Sequence, residues 1–299
     1  MVPRPIGLPL TALAALAGVA LGAAPARAGA PEPSTSTDAA TSIRWEKDFK
    51  TALREARASG RPLMVDFWAQ WCHWCHQTDE TTYRDPDVVA LARGFVAVKV
   101  NTEGSLGEVE LTARYGVEEL PTIAFISPGG RAFLRRSEFE DASRFAVTLQ
   151  TARRLADEVA PLEAVLERDD DDPAALTGLG VLLSGNGLVA ESRDLLRRAR
   201  KGDASRPVAE RKRTRRTLAA VERLRGKTGD AERLLDEALA LQPADASEDA
   251  ASLFALGETY LERGQAEKAR VAWQRSLDLA PTGPVAPLAS EALSRLAAP

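Results

Sequence analysis

The two cysteines of this 299-residue chain, Cys72 and Cys75, stand three positions apart, and its two histidines, His73 and His76, each follow one of them. Three chemistries use such a cluster. The first is thiol–disulfide exchange: a lone, closely spaced pair is no disulfide framework, which needs several distributed cysteines. A thiol at a helix N-terminus feels the positive end of the helix dipole and unpaired N–H groups, and both stabilise its thiolate. With the second cysteine one turn on, on the same face, Cys72 is expected to be the exposed nucleophile and Cys75 the buried resolving thiol. His73, when protonated, would stabilise the thiolate further and make the disulfide more oxidising. The second chemistry is covalent haem attachment, since Cys72-His73-Trp74-Cys75-His76 is formally a CxxCH. His76 would supply one axial ligand, but the second would have to come from His73, inside the motif, or Met64, inside an apolar run. The third is zinc or copper binding, which four ligands crowded into five consecutive helical residues cannot readily provide in a tetrahedron. The exchange reading is the one adopted, with no cofactor and no metal.

An exchange site needs a buried strand before it and a helix after it, and the surrounding pattern provides both. Leu63 to Trp68 is an apolar run of strand length, and the residues from His73 to about Asp79 read as helical. Further helices are expected at Asp48–Ala58, from Asp85-Pro86 to Ala92, and over Val109–Tyr115, stopping at Gly116. Phe95–Val100 and Thr122–Ile126 read as strands, and Pro128-Gly129-Gly130 turns the latter into another at Ala132–Arg135. A closing helix is expected over Glu140–Leu155. Strands alternating with helices and ending in a hairpin predict an α/β sheet with helices on both faces. Asp66, an acid inside an apolar run, demands an explanation of its own. The indoles of Trp68, Trp71 and Trp74 are expected to form an apolar collar around the sulfur atoms.

The stretch Val65-Asp66-Phe67-Trp68-Ala69-Gln70-Trp71-Cys72 resembles the active-site approach of the thioredoxin family nearly residue for residue. Lys99, the segment Tyr115-Gly116-Val117 and Leu120-Pro121-Thr122 follow in the family's order. The resemblance spans Ile43 to Gln150. It is closest to the C-terminal domain of bacterial membrane thiol:disulfide interchange proteins, where a Trp-Cys-x-x-Cys segment also precedes a helix like Thr82–Asp87. It implies a thioredoxin fold, with a mixed central sheet flanked by helices, and thiol:disulfide oxidoreductase activity on protein substrates. It further implies that Pro121 is a cis-proline beside the disulfide, presenting backbone to an extended substrate. Asp66 would be a buried acid relaying the proton of Cys75, and Lys99 its moderating neighbour. His73-Trp74 in place of Gly-Pro, and His76 in place of Lys, depart from the family pattern and leave the direction of electron flow open.

The remainder of the chain frames this site. Arg4, the apolar run Leu8–Ala24 and Ala26-Arg27-Ala28 have the form of a secretory signal ending at residue 28. An uncleaved anchor is the alternative, although the run falls short of the roughly 20 residues of a membrane span. Residues 29–42, rich in Pro, Ser and Thr, read as a linker. The thioredoxin-like domain is expected over 43–155, and 156–299 as an all-α domain of helical repeats. Leu253, Leu256, Gly257, Tyr260, Ala269, Trp273 and Pro281 resemble the tetratricopeptide pattern, with Gly264 at the inter-helix turn. Gly180 and Ala219 recur in like positions, spaced somewhat beyond the roughly 34 residues of that repeat. Such repeats imply a surface for a protein partner. With 39 basic against 43 acidic residues, nothing global points to nucleic acid, and the basic run from Arg193 to Lys227 is interspersed with acids. The expected partners are protein disulfides or dithiols, a redox protein in the membrane, and a protein bound by the repeats. The alternative is a non-catalytic periplasmic adaptor that binds extended peptide beside Pro121.

Overall fold

A computed structural model describes residues 42–297. The expected signal segment and all but the last residue of the expected linker lie outside them. Among the described residues no helix is long and apolar enough to cross a membrane.

Five strands form one mixed sheet in the order β1-β3-β2-β4-β5. They are β1 (Trp45–Glu46), β2 (Leu63–Trp68), β3 (Val96–Asn101), β4 (Thr122–Ile126) and β5 (Ala132–Arg136). β3 runs parallel to β1 and β2, whereas β4 is antiparallel to both β2 and β5. The central strand β2 is buried from Leu63 to Phe67, which explains its near-continuous apolar run. β1 escapes the sequence pattern because two residues are too few to show a period.

The helices follow their local signals. α1 (Phe49–Ser59) starts where the Asp48 carboxylate accepts the Thr51 N–H at 2.8 Å, and it ends at Gly60 with φ 70°. α2 (His73–Glu80) begins at Cys72. A one-turn 3-10 helix over Thr82–Arg84 leads into α3 (Pro86–Ala92), capped by Asp85 with Pro86 in its first turn. α4 (Leu106–Arg114) starts three residues ahead of the expected Val109, because Ser105 and Glu108 form a capping box.

The closing helix differs more. α5 (Ala142–Leu166) does not stop at Leu155 but runs on through Pro161, so the expected boundary at 155/156 falls inside a helix. Its extension is fixed to the sheet. Glu163 accepts from Ser127 Oγ at 2.9 Å and from Arg131 Nε at 3.2 Å, beside the β4–β5 turn. The composition change near Asp157 marks a change in what the helix packs on, not its end.

Beyond α5 the chain is all-helical. α6 (Pro173–Gly185) packs on α7 (Val189–Gly202), α8 (Val208–Leu224) on α9 (Thr228–Ala240), and α10 (Ala246–Glu262) on α11 (Ala266–Leu279). α12 (Ala286–Ala297) lies against α11. A β-carbon on Gly257 would stand 2.3 Å from the indole nitrogen of Trp273, so only glycine lets α10 and α11 approach this closely. Leu176, Leu179, Leu183, Leu188 and Leu195 of the first pair belong to the same buried apolar cluster as the sheet. The first helical pair therefore extends the core of the α/β unit and is not tethered to it by a loose linker.

Most of the basic residues between Arg193 and Lys227 are held by acids. Arg193 and Arg225 meet Glu222 at 2.7 and 2.6 Å, and Arg215 meets Asp203 at 2.5 Å. Lys212, fully buried, donates to the Ala238 carbonyl at 3.0 Å and pairs with Asp249 of α10. Removing one partner of a buried ion pair leaves the other uncompensated and costs about 3–5 kcal/mol, whereas replacing both by apolar groups can be neutral. Lys212→Ala should therefore lower the stability of the helical unit by about that amount. Lys212→Met with Asp249→Leu should recover most of it, as measured by urea unfolding followed by circular dichroism.

Candidate active site around the Cys72–Cys75 disulfide

β2 delivers the chain to the site and α2 carries it away. After Trp68 the backbone turns through Ala69–Trp71, with the Cys72 N–H bonded to the Ala69 carbonyl at 3.1 Å. Cys72 is the N-cap of α2, and its sulfur accepts the Cys75 N–H at 3.1 Å. Cys72 and Cys75 are joined in a disulfide, with Cα atoms 5.3 Å apart. When the bond is reduced, that N–H and the helix dipole favour negative charge on the Cys72 sulfur over the Cys75 sulfur. Both cysteines are only 3% exposed, so the expectation of an open Cys72 beside a buried Cys75 does not hold in the disulfide form. Ala69, with Trp68 and Leu120 packed alongside, covers them.

The residues singled out from sequence divide into two groups. Trp68 packs on the disulfide, and the Leu120-Pro121 peptide bond is cis, with Leu120 against the same cluster. His76 turns back, its Nε2 2.9 Å from the Gln70 carbonyl oxygen and its ring 6.4 Å from that of Trp68. The expected collar of three indoles is not formed. Trp71 and Trp74 hold 67% and 53% of their surface in solvent and flank the site instead of sealing it. The Trp71 indole N–H donates to Glu103 at 2.9 Å, while Trp74 lies between His73 and Phe139 with ring centroids 5.4 and 5.2 Å away.

On β2, just ahead of the cysteine segment, Asp66 is 2% exposed and Lys99 Nζ donates to its carboxylate at 2.9 Å. The two residues are register partners across β2 and β3, which is what fixes the pair. Lys99 also donates to Asp79 of α2, and its ammonium lies 4.9 Å from the Trp45 ring centroid and 5.3 Å from that of Tyr83. Burial pushes the Asp66 carboxyl above its ordinary range, and the Lys99 charge pulls it back only in part. Burial alone would lower the Lys99 ammonium, yet Asp66 and Asp79 together hold it above its ordinary value. Tyr83 is pushed well up by burial, then by the two neighbouring carboxylates.

Sequence reasoning missed Asp79, Tyr83, Trp45 and Phe139. Asp79 had a legible signal, since it lies one helical turn beyond Cys75. The others come from β1, the 3-10 turn and a loop, whose positions no local pattern reveals.

Residues 44–128 match the family model for thioredoxin-like domains. A thiol:disulfide interchange protein DsbD from Klebsiella pneumoniae is 32% identical over 98 residues, covering 32% of this chain and 16% of its own length. A DsbD from Cronobacter sakazakii is 33% identical over 117 residues, covering 38% of this chain and 20% of its own. The solution structure of a thioredoxin from Thermus thermophilus is 31% identical, covers 37% of this chain and 86% of its own, and has a TM-score of 0.34. The α/β unit is a thioredoxin-like domain with a Cys72–Cys75 disulfide, followed by a helical region. The chain spans no more than a fifth of the length of these curated relatives.

The buried acid makes a measurable demand on stability. A carboxyl whose pKa is higher folded than unfolded gives stability that is full below the unfolded pKa, about 3.9, and is lost as pH rises through the folded value. Asp66→Asn removes that loss, while Lys99 keeps Asp79 and titrates far above this range. In the oxidised protein, the unfolding free energy of the variant relative to wild type should rise between pH 4 and pH 8. A difference that stays flat across urea titrations at the two pH values would mean that Asp66 bears no burial cost.

Proposed function

We propose that this chain is an exported thiol–disulfide oxidoreductase acting on protein disulfides or dithiols through Cys72 and Cys75. The observation that carries the reading is Cys72 at the N-cap of α2, disulfide-bonded to Cys75 and accepting its N–H. In the reducing direction the Cys72 thiolate attacks one sulfur of the substrate disulfide, and the other substrate sulfur leaves as a thiolate. The Cys75 thiol loses its proton and attacks Cys72, which reforms the Cys72–Cys75 bond and releases the second substrate thiol. Two electrons have then passed from the dithiol to the substrate, and the oxidising direction reverses each step. Asp66 is the group to receive the Cys75 proton, since burial raises its proton affinity. Lys99 keeps that affinity within a usable range by pairing with the anion. Pro121 offers the chain ahead of β4 to an extended substrate segment. His73, at the solvent-facing start of α2, adds to the field on Cys72 whenever it is protonated.

Export is supported by the Leu8–Ala24 run with Ala26-Arg27-Ala28, and by the naming of the curated relatives as thiol:disulfide interchange proteins. The same relatives support a redox partner protein, which we place in the membrane on the family resemblance. The helical pairs, whose spacing resembles tetratricopeptide repeats, would hold a further protein partner, and the reading needs no cofactor and no nucleic acid.

Purified protein equilibrated in graded thiol–disulfide buffers and trapped by alkylation should show one two-electron transition. A midpoint near about −270 mV marks a reductant fed by a donor, and one near about −120 mV marks a disulfide donor. Cys72→Ser combined with Cys75→Ser should abolish all exchange. A pair that does not cycle would overturn the enzyme reading in favour of a peptide-binding adaptor.

A further inference from the structure

The rim of the disulfide has a one-sided chemistry. Glu118 and Glu119 are exposed, form no ion pair among the described residues, and directly precede Leu120, which packs against the cluster of Ala69 and the two cysteines. Their loop is fixed at both ends: the Val117 N–H donates to the Thr112 carbonyl at 3.0 Å, and Thr122 Oγ1 donates to the Glu119 carbonyl at 2.6 Å. On the loop after β3, Glu103 also forms no ion pair among the described residues and holds the exposed Trp71 ring by its indole N–H. Three of the nearby cations are already committed, while Arg114 of α4 lies 5.6 Å from the Tyr115 ring centroid and forms no ion pair among the described residues. Lys99 is paired with Asp66 and Asp79, Arg135 donates to the Tyr115 carbonyl at 2.7 Å and faces Glu191, and Arg136 faces Glu140.

Independently of these carboxylates, two largely exposed indoles directly precede the cysteines, Trp71 before Cys72 and Trp74 before Cys75. Trp71 is held by Glu103 and Trp74 by Phe139 and His73, so neither ring must be ordered when a partner arrives. An indole face attracts lysine and arginine side chains and packs on apolar ones, but offers nothing to a carboxylate. Because both cysteines are nearly covered, a substrate segment must lie against this rim to reach them.

We infer that the redox site is selective for disulfides carried in cationic segments, with lysine or arginine beside the reacting cysteine. The carboxylates of Glu118 and Glu119 would meet those charges, and Trp71 and Trp74 would cover their stems. This inference rests on the exchange activity proposed above. The chemical step is unchanged: the Cys72 thiolate displaces one substrate thiolate, and Cys75 then displaces the other.

The test uses the full chain, reduced with dithiothreitol and freed of it, against three probes. Two are peptide disulfides of equal length, with either lysines or glutamates flanking the cysteine. The third is uncharged dipyridyl disulfide. At low ionic strength the lysine peptide should react about tenfold or more faster than the glutamate peptide. Raising the salt towards 0.5 M, where the screening length falls to a few ångströms, should shrink that ratio several-fold. Glu118→Lys with Glu119→Lys should bring the ratio to one or below. Equal rates for the two peptides at low salt, or a ratio that salt leaves unchanged, would overturn the inference, and the salt series on wild type decides this even if the variant does not fold. Reaction with dipyridyl disulfide alongside equal peptide rates would leave the redox reading standing without the selectivity. No reaction with any probe would overturn both.

Discussion

A carboxylate placed in the middle of a buried strand constrains much of what surrounds it. Asp66 cannot be ionised in a sheet interior without a countercharge, and an unpaired buried charge costs several kcal/mol. The parallel register of β2 and β3 sets Lys99 directly alongside, and β1 and the turn before α3 close over the ammonium with Trp45 and Tyr83. α2 then brings Asp79 to the same lysine. One cation between two acids ties the strand before the cysteines to the helix after them. The arrangement holds a buried carboxyl, just ahead of the cysteine segment, whose charge is opposed by burial and favoured by Lys99.

The helical region depends on a second constraint, the edge of the sheet. Among the described residues β5 has only β4 as a strand neighbour, and an uncovered edge strand is a template for unwanted pairing. Here α6 packs against β5, and the leucines of α6 and α7 join the core of the sheet. Because α5 runs unbroken from the thioredoxin-like unit towards the helical pairs, and Glu163 pins its extension to the β4–β5 turn, the joint has little freedom. A partner held on the first helical pair would thus meet a surface whose position relative to the sheet is fixed by packing, which flexible linkers cannot provide.

Much of this was legible in the sequence, for identifiable reasons. The Leu63–Trp68 run, the caps at Asp48 and Asp85, and the glycines at Gly60 and Gly116 act locally, so strands and helices fell close to their expected places. The cysteine pair was legible because chemistry constrains its spacing. What stayed hidden was tertiary. The continuation of α5 past Leu155 is invisible because nothing in a helix's own sequence says what it packs on, and even Pro161 did not end it. The cover over Lys99 is drawn from three segments far apart in the chain. The indoles were misjudged because aromatic residues near a reactive sulfur suggest shielding, whereas Trp71 is hydrogen-bonded to Glu103 and Trp74 packs at a tilt against Phe139, and both remain largely exposed.

That exposure bears on how such a site discriminates. In the exchange proposed above, the cysteine pair would treat every disulfide alike, since the step concerns only sulfur atoms and a proton. With both cysteines almost covered, a substrate sulfur must be carried in on a segment that settles against the rim, and the energy of settling is where one protein can differ from another. On the selectivity inferred above, that surface would consist of the Trp71 and Trp74 indoles and the carboxylates of Glu118 and Glu119. Such groups lose little entropy when a partner binds, so differences in the charge of that partner pass almost undiminished into its rate of reaction.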